Sequence, residues 1–259
     1  MSDLRVRGLT LRGRRVTALG IALAIVLLLL GAGTLLGAEA PASRANRSPL
    51  VGRTTMICTT STPQRGEPAG KTEVSAVAIR EASDRSGLLT GSTLAAKSSE
   101  LKITDQGKGA QLSRVTSPIM IAGEGVMATS GSAVIVGDAT EGPEAGLKAA
   151  PCLTPATSHW FSGLGATDDD GTDLILTNPD DAQAQVDLRF YGRSGRIVAP
   201  GSPGVVIRAH ESRPVSLTSL VQAEGPISVA VQASEGRVTA VAKRTQSDQL
   251  KPAGVDWQI

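Results

Sequence analysis

Residues 185–192 read QVDLRFYG. In an extended chain Val186, Leu188 and Phe190 fall on one side, and Asp187, Arg189 and Tyr191 on the other. A period of two of this kind predicts a strand with one face in a core and one toward water. The pattern continues in both directions. DLILTNP (173–179) is a strand ending in an Asn-Pro turn; GVVIRAH (204–210), RPVSL (213–217) and ISVAVQAS (227–234) follow, the last aligning Ile227, Val229 and Val231. Ser234-Glu235-Gly236 reads as a turn after which VTAVAKR (238–244) pairs back as a hairpin. TSLVQAEGP (218–226) reads as a short helical turn between two strands. With HWFSGLG (159–165) in front, this makes about seven strands in roughly ninety residues, a spacing that predicts an immunoglobulin-like sandwich.

Upstream the alternation is weaker. TEVSAVAI (72–79) and SELKITD (99–105) read as strands, and GVMATSGSAVIVGD (125–138) as two short strands broken at Ser130-Gly131. No window carries a 3.6-residue apolar stripe. Aromatic residues make up only 2% of the chain against 41% hydrophobic, so the cores must be built from Val, Leu, Ile and Ala. Twenty-nine Gly and 14 Pro, many at turn positions, suit short strands better than long helices.

The net charge of +2 is concentrated at one end. Arg5, Arg7, Arg12, Arg14 and Arg15 precede residue 16 against a single Asp3, which leaves the rest of the chain slightly acidic. Without a basic cluster in that remainder there is no electrostatic footprint for nucleic acid. Val16 to Ala38 carries no charge and as a helix would span roughly 35 Å, enough for a hydrocarbon core. The arginines before it place the N-terminus in the cytoplasm and everything beyond Ala38 outside. The alternative is a cleaved secretory signal, since Ala38-Glu39-Ala40 has the small-x-small form. Against cleavage stand the length of the apolar run and Pro41 after the scissile bond. Residues 39–50, rich in Ala, Ser, Pro and Arg, read as a flexible stalk, with a sequon at Asn46-Arg47-Ser48.

The expected organisation is a cytoplasmic basic stub (1–15), a transmembrane helix (16–38), the stalk (39–50), a first β-domain (51–152), an immunoglobulin-like β-sandwich (153–246) and a C-terminal tail (247–259). The fold class is mostly β: one N-terminal transmembrane helix followed by two β-sandwich domains. Cys58 and Cys152, 94 positions apart and in no metal-type spacing, are expected to form a disulfide that clamps the ends of the first domain.

The candidate chemical sites are few. Asp168-Asp169-Asp170-Gly171 has the glycine too early for an EF-hand loop and Pro179 at its twelfth position, so it reads as a solvated turn. His159 and His210 are the only imidazoles, and no G-x-S-x-G accompanies them. Gly163–Asp168 lacks the strand–loop–helix context of a dinucleotide site. Trp160-Phe161 reads as packing where the second domain begins, and five aromatics in all are few for a sugar-stacking surface. No catalytic residue, cofactor or metal ligand is assigned.

The stretch LTNPDDAQAQVDLRFYGRSG, followed by VVIRAHESRPVSLTSL and GPISVAVQASEGRVTAVAKR, resembles a β-sandwich repeat of bacterial surface proteins. Together with the apolar segment and CLTPATSHWFSGLGAT (152–167), the chain resembles an actinobacterial domain-of-unknown-function family of membrane-anchored envelope proteins. The likeness is strong over 151–244 and weak over 51–150. It implies no established activity and no catalytic residues. It also implies further sandwich repeats, so that 247–259, with Trp257 and Ile259 in no strand pattern, is expected to be a tail or the start of a truncated repeat.

The expected function is that of a non-catalytic, single-pass envelope protein that scaffolds or binds a partner outside the membrane. The alternatives are an accessory subunit of an envelope glycan-assembly or export complex, and a surface protein secreted after signal cleavage. The expected partners are the membrane, through the N-terminal helix, and an envelope protein or glycan-assembly component.

Overall fold

The computed structural model describes residues 52–60, 71–80, 86–94, 96, 100–142, 145–221, 223, 225–248 and 251–259. The basic stub, the apolar segment 16–38 and the stalk with its sequon lie outside the described residues. No helix among the described residues is long and apolar enough to cross a membrane.

The fold is mostly β. In chain order the strands are β1 (Arg53–Cys58), β2 (Lys71–Ala78), β3 (Gly87–Thr93), β4 (Leu101–Ile103), β5 (Gly109–Ser113), β6 (Ile119–Gly125), β7 (Gly131–Ala139), β8 (Gly146–Pro151), β9 (Ser158–Leu164), β10 (Asp170–Thr177), β11 (Ala184–Gly192), β12 (Gly195–Ile197), β13 (Val205–Ile207), β14 (Ser212–Ser216), β15 (Ile227–Glu235), β16 (Thr239–Asp248) and β17 (Lys251–Gln258). One short helix, α1 (Met127–Ser130), lies between β6 and β7. Every strand pair among the described residues is antiparallel.

Among the described residues four sheets enclose two cores. The first core lies between β1-β6-β3-β4 and β5-β2-β7-β8. Its inward residues, among them Val74, Leu89, Ile121 and Ile135, alternate with solvated ones, as the period of two requires. The second core lies between β14-β10-β16-β17 and β12-β11-β15-β9, with β13 also paired to β11. Val186, Leu188 and Phe190 are buried in it, so β11 presents the face read from its alternation. Residues 51–259 cluster as one compact unit.

Three local readings are corrected by the tertiary structure. GVMATSGSAVIVGD is not two strands: residues 127–130 form α1, and β7 starts at Gly131. The chain must pass here from one sheet to the other, and a helical turn makes that crossing while burying Met127 at the end of the core. Gly123 permits it, because a Cβ there would sit 2.4 Å from the Met127 carbonyl oxygen. The expected hairpin between ISVAVQAS and VTAVAKR does not form either. β15 already has β11 on one edge and β9 on the other, so β16 crosses to the opposite sheet and pairs with β10 and β17. Gly236, at φ 68°, takes the left-handed conformation that this crossing needs. Finally, the C-terminal segment expected as a tail is a strand: β17 pairs along β16, with Ala242 opposite Gln258 and Lys243 opposite Trp257. TSLVQAEGP keeps the expected turn character, with Val221 N–H donating to the Leu217 carbonyl at 2.8 Å.

Candidate functional site

The two cysteines form the expected disulfide, with Cα atoms 4.2 Å apart and both residues buried. Cys58 ends β1 and Cys152 follows β8, so the bond ties an edge strand of one sheet to an edge strand of the facing sheet. Beside it, Ile57 and Leu153 exchange two backbone hydrogen bonds of 2.8 and 2.9 Å. These contacts close the first core and start the chain toward the second.

The three aspartates have separate fates. Asp168 is exposed. The Asp169 carbonyl accepts from Ser247 N–H at 2.8 Å, and its carboxylate accepts from the Ser247 hydroxyl at 3.3 Å. Asp170 accepts two hydrogen bonds of 2.6 Å from the Arg244 guanidinium, a bidentate pair about two-thirds withdrawn from water. The hydrogen bonds that Arg244 donates to Asp170 raise the Arg244 pKa, partly opposed by burial, with the charges of Asp170 and Asp256 adding to the attraction. The reading of all three as a solvated turn is therefore corrected: Asp170 anchors β10 to β16.

The imidazoles serve separate local contacts. His159 Nε2 lies 2.9 Å from the Val238 carbonyl, an arrangement in which the ring nitrogen donates, and it pins β9 to the entry of β16. His210 sits at φ 55° in the turn between β13 and β14, its Nε2 2.8 Å from an Asp181 carboxylate oxygen. The same end of the core is held by Asn178, which is buried and donates to the carbonyls of Ala182, Ile207 and Arg208 at 2.7–3.2 Å. Arg237 and Asp180 form a bidentate pair beside it at 2.9 Å.

Trp160 overturns its sequence reading. It is 58% exposed, on the outer face of β9, while its neighbour Phe161 is 3% exposed and packs in the second core. Adjacent residues of a strand point to opposite faces, and only the inner face of β9 meets the core, so Phe161 is buried and Trp160 is not. The tryptophan that joins the halves is Trp257: it packs against the first core from β17, and the Lys148 Nζ lies 5.5 Å from its ring centre.

The outer face of β12-β11-β15-β9 carries the one aromatic pair found among the described residues. Trp160, Ala230 and Arg189 form one cross-strand row, and Ser228, Tyr191 and Arg196 the next. Because β15 offers only Ser228 and Ala230 between them, the Trp160 and Tyr191 rings reach over the central strand and meet, with centroids 5.3 Å apart and planes tilted by 37°. The polar neighbours are already engaged: Asp187 accepts from Gly204 N–H at 2.8 Å, and the Gln232 amide donates to the Thr157 carbonyl at 3.0 Å. Arg189 and Arg196 are exposed, and neither has a partner among the described residues. The face thus offers an indole and a phenol ring, two uncommitted guanidinium groups and a floor of small side chains. Such a surface can stack on a flat or ring-shaped ligand and donate paired hydrogen bonds to an anion.

The sequence reading missed this face. Its signal was the outward assignment of Arg189 and Tyr191, together with the opposite directions that Trp160 and Phe161 take on one strand. What the sequence lacked was the β9–β15 pairing that brings the tryptophan to Tyr191.

A family profile matches residues 103–259, and the chain belongs to that family, a family of unknown function (DUF5719). The match runs from the end of β4 through β17, so it includes the segment expected as a tail and about half of the stretch where the likeness had looked weak. No curated protein and no solved structure matches the chain.

Proposed function

We propose that this member of the DUF5719 family is a single-pass membrane protein of an actinobacterial cell envelope. In this reading its exported β-region binds a partner outside the membrane and carries out no chemistry of its own. The observation that carries the binding role is the exposed Trp160–Tyr191 pair flanked by Arg189 and Arg196, which have no partner among the described residues. The two rings are already held against each other at 5.3 Å, so they present a pre-formed stacking surface in a chain with only five aromatic residues. The membrane anchor rests on the uncharged run Val16–Ala38 and the arginines that precede it.

We read the two cores as two β-sandwiches, the second immunoglobulin-like. In support, β10 pairs with β14 and β11 with β15, the two central pairings of that fold. The first and last strands, β9 and β16, have exchanged sheets relative to it. A role as accessory subunit of a glycan-assembly complex is compatible with the same face.

The test is site-specific photo-crosslinking in the cells that make the protein, with the crosslinker at Tyr191 and a control at Leu147, which is exposed on β8. Capture at Tyr191 and not at Leu147 supports the reading. The same products at both positions, or none at Tyr191, refute it. Topology is checked separately by a reporter fused after Ile259, expected to be active only outside the cytoplasm.

A further inference from the structure

We infer that the outer face of β12-β11-β15-β9 binds an anionic glycan, a chain of sugar rings bearing carboxylate or phosphate groups. This rests on that face being the recognition surface and names what it takes.

The argument is one of complementarity. A protein partner would need a continuous apolar centre ringed by polar groups. Here the floor between the two rings is Ser228 and Ala230, with Gln232 beyond; the aromatic surface is confined to Trp160 and Tyr191, and the exposed Val198 and Val206 lie beyond β12 and on β13 rather than between the rings. A sugar ring matches this layout: its C–H face lies on an indole, while its hydroxyl groups can hydrogen-bond around the rim. The charge is specified by the guanidinium groups. Arg189 lies in the cross-strand row of Trp160, Arg196 in that of Tyr191, and Asp187, the acid on the same face of β11, already accepts the Gly204 N–H. Two unneutralised guanidinium groups beside a stacking platform favour an anion and disfavour a neutral sugar.

The test is a fluorescence titration of the full-length protein in detergent, carrying Trp257→Phe so that Trp160 supplies the signal. The probes are oligogalacturonate, a yeast phosphomannan, neutral isomaltooligosaccharide and poly-glutamate. Saturable binding of oligogalacturonate or phosphomannan, weakened by added salt, is expected, and the stronger of the two identifies the acidic group. By a gel-shift readout, Trp160→Ala should weaken that binding about tenfold or more and Trp160→Phe should restore most of it. Arg189→Ser with Arg196→Ser should bring the anionic glycan down to the neutral one and remove the salt dependence. The inference is overturned if neither anionic glycan saturates, if isomaltooligosaccharide binds equally well, or if Trp160→Ala binds as the parent does. Equal binding of poly-glutamate would overturn the glycan assignment too. If photo-crosslinking at Tyr191 then still captures a protein, the recognition face stands and only its ligand class is wrong.

Discussion

Two neighbouring residues of β9 offer a sharp test of the architecture. Trp160 is 58% exposed and Phe161 3% exposed. About two-fifths of the indole is therefore covered, on the order of 100 Å² of a side chain that can bury about 250 Å². At about 25 cal/mol per Å² this area corresponds to at most about 2.5 kcal/mol, and less once the compactness of the unfolded chain is counted. Trp160→Ala should thus destabilise by about 1–2 kcal/mol. Phe161→Ala empties a site in the second core and should cost about 3–5 kcal/mol. Part of the smaller loss belongs to the ring pair, so a double-mutant cycle with Tyr191→Ala should return a coupling of about 0.5–1.5 kcal/mol. Urea melts followed by far-UV circular dichroism measure the parent and the four variants without depending on tryptophan emission. If Trp160→Ala costs as much as Phe161→Ala, the indole is a core residue and the outward face of β9 has been misassigned.

Other perturbations test the joints between elements. Reducing the disulfide, or changing Cys58 and Cys152 together to Ser, releases a loop whose ends are 94 positions apart, with an expected loss of about 3–5 kcal/mol in denaturant melts; a loss near zero would contradict the clamp. Asp170→Ser leaves Arg244 half-buried without its bidentate partner and should cost about 1–3 kcal/mol, whereas Asp168→Ser should stay within about 0.5 kcal/mol in the same assay. Trp257→Ala should loosen the join between β17 and the first core, seen as faster amide exchange in both β8 and β17; protection lost only in β17 would show that the indole does not hold the two together.

How far the residues themselves carried the description depends on the range of the physics involved. Burial on a strand has a local period of two, so the core face of β11, most strands of the second core and the outward Arg189 and Tyr191 could be read from sequence alone. The disulfide was legible because only two cysteines were available to pair. Pairing is another matter, since an edge can be taken by any strand that reaches it. A turn at residues 234–236 looks the same whether the next strand folds back or crosses the core. The capture of both β15 edges by β11 and β9 decided that it crosses. The same non-local choice made a strand of Lys251–Gln258, whose weak alternation is compensated by the open edge of β16. It also turned Trp257 rather than Trp160 into the joint between the cores. The sequence by itself determined which residues alternate in and out of a core. Only the tertiary structure, by pairing β9 with β15 across from Tyr191, decided that an indole would stand in water beside two arginines that have no partner among the described residues.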